Sequence, residues 1–194
     1  MGGKEEAIML CGSRSVSPSA AAVIDVVVGE LLAGGRSLIV GCATGADEAA
    51  LRSIMAAGAH ARAQVFAAFG PGGAGAWHGS ARTSVTRFTA AGGRVAWWAG
   101  GAVSVPLSIR LAARTRAVVS ASSGLVCFFN APDSRGTRLA ARLAAQRGLP
   151  VVAFPLGFRG SLLPHLGGGE WRRCSGSAVW SGAWRWVSIQ AALF

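Results

Sequence analysis

The sequence predicts an α/β fold with a doubly wound, mostly parallel sheet of about six strands. Three observations carry that expectation. Short apolar runs alternate with longer amphipathic stretches along most of the chain. The runs are apolar on both faces, as strands covered by helices on either side must be. Most of them end in turns rich in Gly, Ser, Pro or Asn that open into a helical pattern.

Taken in order, Ala7 to Cys11 reads as a buried strand ending in Gly12-Ser13-Arg14-Ser15. Ser17-Pro18 marks a helix start, with Ser as N-cap and Pro in the first turn. That helix runs to about Ala33 and stops at Gly34-Gly35. Ser37 to Gly41 is the second strand, and a helix follows from about Ala46 to Ala57. Ala63 to Ala67 is the third strand. Gly70 to Gly79 predicts an irregular segment, a lid or a disordered loop. A weaker helix spans Ser80 to Ala91, and Arg94 to Trp98 is the fourth strand. Pro106 opens a helix to about Ser120. Leu125 to Phe129 is the fifth strand, the helix after it runs from Thr137 to about Arg147, and Pro150 to Phe154 is the sixth strand. Right-handed crossovers between such strands build a Rossmann-like sheet.

The 194 residues suit one domain, and 52% hydrophobic against 14% charged residues exclude a disordered chain. Mean hydropathy is +0.44, yet no run approaches the roughly 20 apolar residues of a spanning helix. The opening Met1 to Glu6 is acidic and short, which predicts no secretory signal, no membrane association and a cytoplasmic protein. Cys11, Cys42, Cys127 and Cys174 lack metal-knuckle spacing, and three of them lie in or beside apolar strand-like runs, where a free Cys packs as a small hydrophobe. Net charge is +11, and Lys4 is the one lysine. A basic, Arg-rich chain suits a polyanionic partner, unless the arginines serve only solubility.

Ligands of an open parallel sheet bind beyond the carboxyl ends of its strands. Three turns suit that place. In Gly12-Ser13-Arg14-Ser15 the glycine allows a sharp turn, the serine and nearby N–H groups suit an anion, and the arginine can fork a phosphate. In Gly41-Cys42-Ala43-Thr44-Gly45-Ala46-Asp47 the glycines bracket a turn. Asp47 and Glu48 there either offset the helix dipole, or Asp47 meets a ribose hydroxyl or the loop backbone. In Pro132-Asp133-Ser134-Arg135-Gly136-Thr137, Gly136 permits close approach and Thr137 is expected to cap the helix while donating to phosphate. Arg110 and Arg114 share a helix face, with Arg116 nearby, as a solvated surface or a phosphate grip. His78 follows Trp77 in the glycine-rich segment and is within reach of a ligand, whereas His60 and His165 look incidental. No metal ligand set is visible.

The segment 158–194 is a separate Trp/Arg-rich appendage to a nucleotide-binding domain at 1–157 in this reading. It holds Trp171, Trp180, Trp184 and Trp186. Trp184 and Trp186 alternate around Arg185, as in a hairpin packed on the sheet edge or a stacking surface for bases.

From about Ile8 to Gly157 the order of these motifs resembles the SLOG superfamily of Rossmann-like proteins. That group includes the lysine-decarboxylase-like (LOG) phosphoribohydrolases, the YspA/YpsA-like proteins and the DprA family. The matching residues are Gly12-Ser13-Arg14, then Gly41, Ala43, Gly45, Ala46, Asp47 and Ala50, then Gly136-Thr137. The resemblance implies binding of a nucleotide or nucleotide-derived ligand, with no other cofactor. Gly12, Ser13, Arg14, Gly41, Thr44, Gly45, Asp47, Arg110, Ser134, Arg135, Gly136 and Thr137 are its expected contacts. The likeness to the DprA branch implies single-stranded DNA as an alternative partner. The LOG branch implies cleavage of an N-glycosidic bond, but its catalytic Glu is replaced here by Ala140. Asp47, Glu48 or Asp133 would have to substitute, with Asp47 the candidate catalytic group. A homodimer is also compatible with this reading.

Overall fold

The computed structural model describes residues 6–176 and 178–189. In chain order the elements are β1 (Ala7–Gly12), α1 (Pro18–Ala33), β2 (Ser37–Val40), α2 (Ala46–Ala56), β3 (Ala63–Phe66), α3 (Arg82–Ala90), β4 (Arg94–Ala96), α4 (Leu107–Ala121), β5 (Gly124–Phe129), α5 (Arg135–Gln146), β6 (Val151–Pro155), β7 (Gly169–Arg173) and β8 (Trp184–Ser188). The sheet has eight strands in the order β4-β3-β2-β1-β5-β6-β8-β7. The first six are parallel. β8 is antiparallel to both β6 and β7. The expectation of about six strands therefore falls short by the hairpin β7–β8, which continues the same sheet.

Alternation along each strand divides the core. Leu10, Val40, Val65 and Phe128 point to one face, under Ile24 and Val28 of α1, Ile54 of α2 and Phe88 of α3. Met9, Cys11, Cys127 and Phe129 point to the other, under Val118 of α4 and Ala141 of α5. Strands so apolar on both sides are stable only between two helical layers.

Local signals set the boundaries. Ser17 Oγ accepts from the Ala20 N–H at 3.2 Å, and Pro18 occupies the first turn of α1. Gly35 follows the helix at φ 77°, a left-handed conformation that ends it.

Three expectations need correction. α5 starts at Arg135, with Ser134 as its N-cap, so Thr137 lies buried inside the first turn and does not cap it. β4 stops at Ala96, because Trp98 turns to φ 54° and leaves the extended conformation. The segment Gly70 to Gly79 is folded: it includes a 3-10 turn at Pro71–Gly73, and Trp77 packs edge-on to Phe69 at 6.1 Å.

The tail is an edge hairpin, as its alternation suggests. Trp171, Trp184 and Trp186 pack against the second core cluster. Trp171 and Trp186 meet edge to face at 5.3 Å, and Trp180 lies 5.7 Å from Phe154. The four indoles are half-buried, packed against the two core clusters. Among the described residues no helix is long and apolar enough to cross a membrane.

Candidate functional site

The chain places β2, β3 and β4 on one side of β1, then returns to set β5 on the other. The strand order therefore reverses between β1 and β5, where open sheets of this kind leave a crevice. The Gly12–Ser15 turn leaves β1 here and the Asn130–Ser134 turn leaves β5.

Gly12 has no space for a side chain: a Cβ would collide with Ala46 Cβ and the Phe128 carbonyl. Ser13 is 6% exposed and works inward. Its N–H donates to the Phe128 carbonyl at 2.9 Å, and its carbonyl accepts from the Ala46 N–H at 3.0 Å. Its hydroxyl accepts from the Asn130 N–H at 3.0 Å and lies 2.9 Å from Ser134 Oγ. Asn130 Nδ2 donates to the Ser15 carbonyl at 2.8 Å, and Ser134 Oγ donates to Asn130 Oδ1 at 3.3 Å. The turns after β1 and β5 are thereby laced into one surface.

The turn after β2 joins them. Gly45 adopts φ 79°, and a side chain there would strike the backbone of Ser13 and Arg14. Thr44 Oγ1 donates to the Arg14 carbonyl at 3.4 Å. Arg14 itself is exposed. Together with Ser17, Gly45, Glu48, Ala49 and Arg52 it lines an open cleft of ≈ 430 Å³ between the starts of α1 and α2. The N–H groups of a helix's first turn face outward and favour anions. Arg135 and Gly136 lie exposed at the start of α5, and a Cβ on Gly136 would meet nothing within 4 Å.

Asp47, Arg114 and Arg110 take a different place. All three are buried, which rules out a solvated face for the two arginines, whereas Arg116 is exposed. Asp47 Oδ2 accepts from the Ala43 N–H at 3.2 Å and lies 3.8 Å from Arg114 Nη1. This pair sits over Gly41, where a Cβ would overlap both side chains. Burial pushes the Asp47 carboxyl above its ordinary range, opposed by Arg114, the Ala43 N–H and Arg14. Arg110 Nη1 donates to the carbonyls of Ala68 at 2.8 Å and Gly75 at 3.2 Å, and its guanidinium lies 6.0 Å from the Trp98 ring. The Nε atoms of Arg110 and Arg114 have no hydrogen-bond partner among the described residues. These three side chains brace the loops beneath the rim.

The remaining candidates scatter. His78 and Asp133 are exposed, while Glu48 accepts from Ser84 Oγ at 2.9 Å. Ala140 is 1% exposed inside the second core cluster, so position 140 presents no acid to a ligand. His165 lies edge-on to Trp186 at 5.3 Å. Burial raises the thiols of Cys11, Cys42 and Cys127.

Sequence reasoning passed over Asn130, Ser15 and Arg52 as site residues. An Asn directly after a buried strand was the available signal, since Asn serves turns through side-chain bonds to nearby backbone. Arg52 carried no signal, because its approach to Arg14 depends on the packing of α1 against α2.

The fold defines a doubly wound, Rossmann-like α/β protein with an open cleft between the starts of α1 and α2. Two solved structures share that fold. One is DNA processing protein A (DprA) from Helicobacter pylori, with TM-score 0.62, 17% identity, and coverage of 82% of this chain and 69% of that one. It was described for its single-stranded DNA binding mode. The other is DprA from Streptococcus pneumoniae, with TM-score 0.63, 21% identity, and coverage of 82% and 53%. The chain therefore spans about half the length of the second structure. No family model matches the chain, and no curated protein matches it by sequence.

Proposed function

We propose that this protein binds single-stranded DNA through its phosphates at the carboxyl rim of the sheet. One observation carries the reading. The exposed Arg14, in the turn that leaves β1, lines the cleft between the starts of α1 and α2, on a fold shared with a single-stranded DNA-binding protein. Arg14 supplies a planar fork for a phosphate, and Arg52 adds a second cation in the same cleft. Ser134, Arg135, Gly136 and Thr137 open α5 beside it, where backbone N–H groups favour a second phosphate. Ser13, Thr44 and Gly45 hold these turns in register, and Gly12 and Gly41 make room for the packing. The net charge of +11 favours a polyanion at long range.

Fluorescence anisotropy with a labelled oligothymidylate tests the proposal. Binding at low salt is expected to weaken steeply as salt rises, and Arg14→Ala should weaken it roughly tenfold, as loss of a charge-assisted contact does. No binding at low salt overturns the reading.

A nucleotide-derived small molecule is the second reading. The cleft of ≈ 430 Å³ favours it, because small-molecule sites occupy roughly 300–1,000 Å³. Calorimetric titration with nucleoside monophosphates, NAD and ADP-ribose tests it, and absence of heat with all of them removes it. With Ala140 in the core and Asp47 turned inward, hydrolysis of an N-glycosidic bond has no support from the site.

A further inference from the structure

We infer that Glu48 makes this cleft selective for nucleotides whose base carries an exocyclic amino group, so that cytosine is bound in preference to thymine. The inference rests on the single-stranded DNA reading above and adds which bases that site accepts.

The make-up of the cleft carries it. At ≈ 430 Å³ it has the room of a small-molecule site, so a bound strand places a single nucleotide in it. Its charged side chains are of both signs. Arg14 and Arg52 suit the phosphate, whereas Glu48 repels it. Glu48 and Arg52 are four residues apart on α2, the order in which an acid and a base on a helix face commonly pair. Here they do not: among the described residues no ion pair joins Glu48 to Arg52 or to Arg14. Glu48 is half-buried, and Ser84 Oγ donates to its Oε1 at 2.9 Å. Oε2 has no hydrogen-bond partner among the described residues. The wall of a phosphate cleft thus holds a carboxylate oxygen that is ready to accept from the ligand.

Base edges differ in what they offer such an oxygen. Cytosine presents its N4 amino group, adenine its N6 amino group and guanine its N2 amino group, each a donor. Thymine has one ring donor, N3–H, set between two carbonyl oxygens that repel a carboxylate. Pro18 and Ala21, three apart on α1, and Ala49 of α2 give the cleft apolar surface that suits the face of a base. A single nucleotide therefore offers a group to each part of the cleft: its phosphate to the arginines, its base edge to Glu48. An acid in the first turn of α2 also offsets the helix dipole, but that effect is the same whichever base is bound.

The test compares the full chain with Glu48→Gln by fluorescence anisotropy at neutral pH. The probes are labelled oligocytidylate and oligothymidylate of about twelve nucleotides, a length within the range of single-strand sites. The unaltered protein should bind oligocytidylate roughly tenfold more tightly, as one hydrogen bond to a charged group allows. Glu48→Gln should bring the two affinities within about twofold, because an amide accepts from the amino group of cytosine and donates to the carbonyl of thymine alike. A preference for oligocytidylate that survives Glu48→Gln undiminished overturns the role of Glu48. Equal binding of the two by the unaltered protein, or tighter binding of oligothymidylate, overturns the base selectivity and leaves the phosphate reading standing. Failure of the unaltered protein to bind either oligonucleotide at low salt overturns the underlying single-stranded DNA reading as well.

Discussion

Ser13 Oγ and Ser134 Oγ lie 2.9 Å apart although 121 residues separate them. Their contact closes the gap between the strands at which the sheet reverses its order. It also sets the spacing between Arg14 and the start of α5, the two cationic points that a phosphate chain meets first.

Removing that contact should cost stability and affinity together. Ser13→Ala leaves the Asn130 N–H without its acceptor and is expected to destabilise the fold by about 1–2 kcal/mol. Combining Ser13→Ala with Ser134→Ala should show a coupling of about 0.5–1.5 kcal/mol in a double-mutant cycle read by urea unfolding. Strict additivity would show that the two hydroxyls do not interact.

Gly41→Ala should be among the costlier single substitutions. The new Cβ overlaps Arg114 Nη1 and Asp47 Oδ2, so the buried ion pair has to separate. A loss of about 3 kcal/mol is expected from overpacking and an uncompensated buried charge. Urea unfolding of the variant reads it directly.

Asp47 gives stability a pH dependence of known sign. Burial raises its carboxyl above the ordinary 3.8. Between 3.8 and the raised value the folded chain keeps a proton that the unfolded chain has released. Its contribution is therefore full below 3.8 and is lost as pH rises through the raised value. Asp47→Asn removes that slope. Measured across this interval, the unfolding free energy of the wild type relative to Asp47→Asn should fall as pH rises. Parallel curves would show that Asp47 does not titrate there.

Thiol reactivity should separate the cysteines. Cys11, Cys42 and Cys127 are buried, with thiols pushed up mainly by desolvation, whereas Cys174 is only partly buried. Native protein should take up one equivalent of an alkylating reagent at Cys174, and the other three should react only on unfolding. Peptide mapping of the labelled protein identifies the site.

Much of this architecture was legible in the chain. The buried strands read correctly because both of their faces are apolar: Leu125 to Phe129 differs from β5 only by Gly124. Ser17-Pro18 and Gly34-Gly35 marked both ends of α1 because capping is local chemistry. β7 escaped because Gly169-Glu170-Trp171-Arg172-Arg173 buries little more than an indole and reads as loop. The burial of Arg110 and Arg114 was equally hidden. Their positions on α4 look polar, and their partners, Asp47 and the Ala68 and Gly75 carbonyls, come from distant turns. The Gly12, Gly41 and Gly45 turns were visible as turns. That Gly45 presses on Ser13 and Arg14 required the three-dimensional arrangement.

Among the described residues β7 forms an open border of the sheet, with no further strand paired to it. Borders of this kind invite aggregation by adding a neighbour's strand, and fixed charge is a common defence. Guanidinium keeps its charge throughout the pH range in which proteins fold, so the defence here does not switch off with acidity. Concentrated electrolyte does weaken it, by shortening the reach of the repulsion. Turbidity should accordingly develop in strong brine sooner than at any moderate pH.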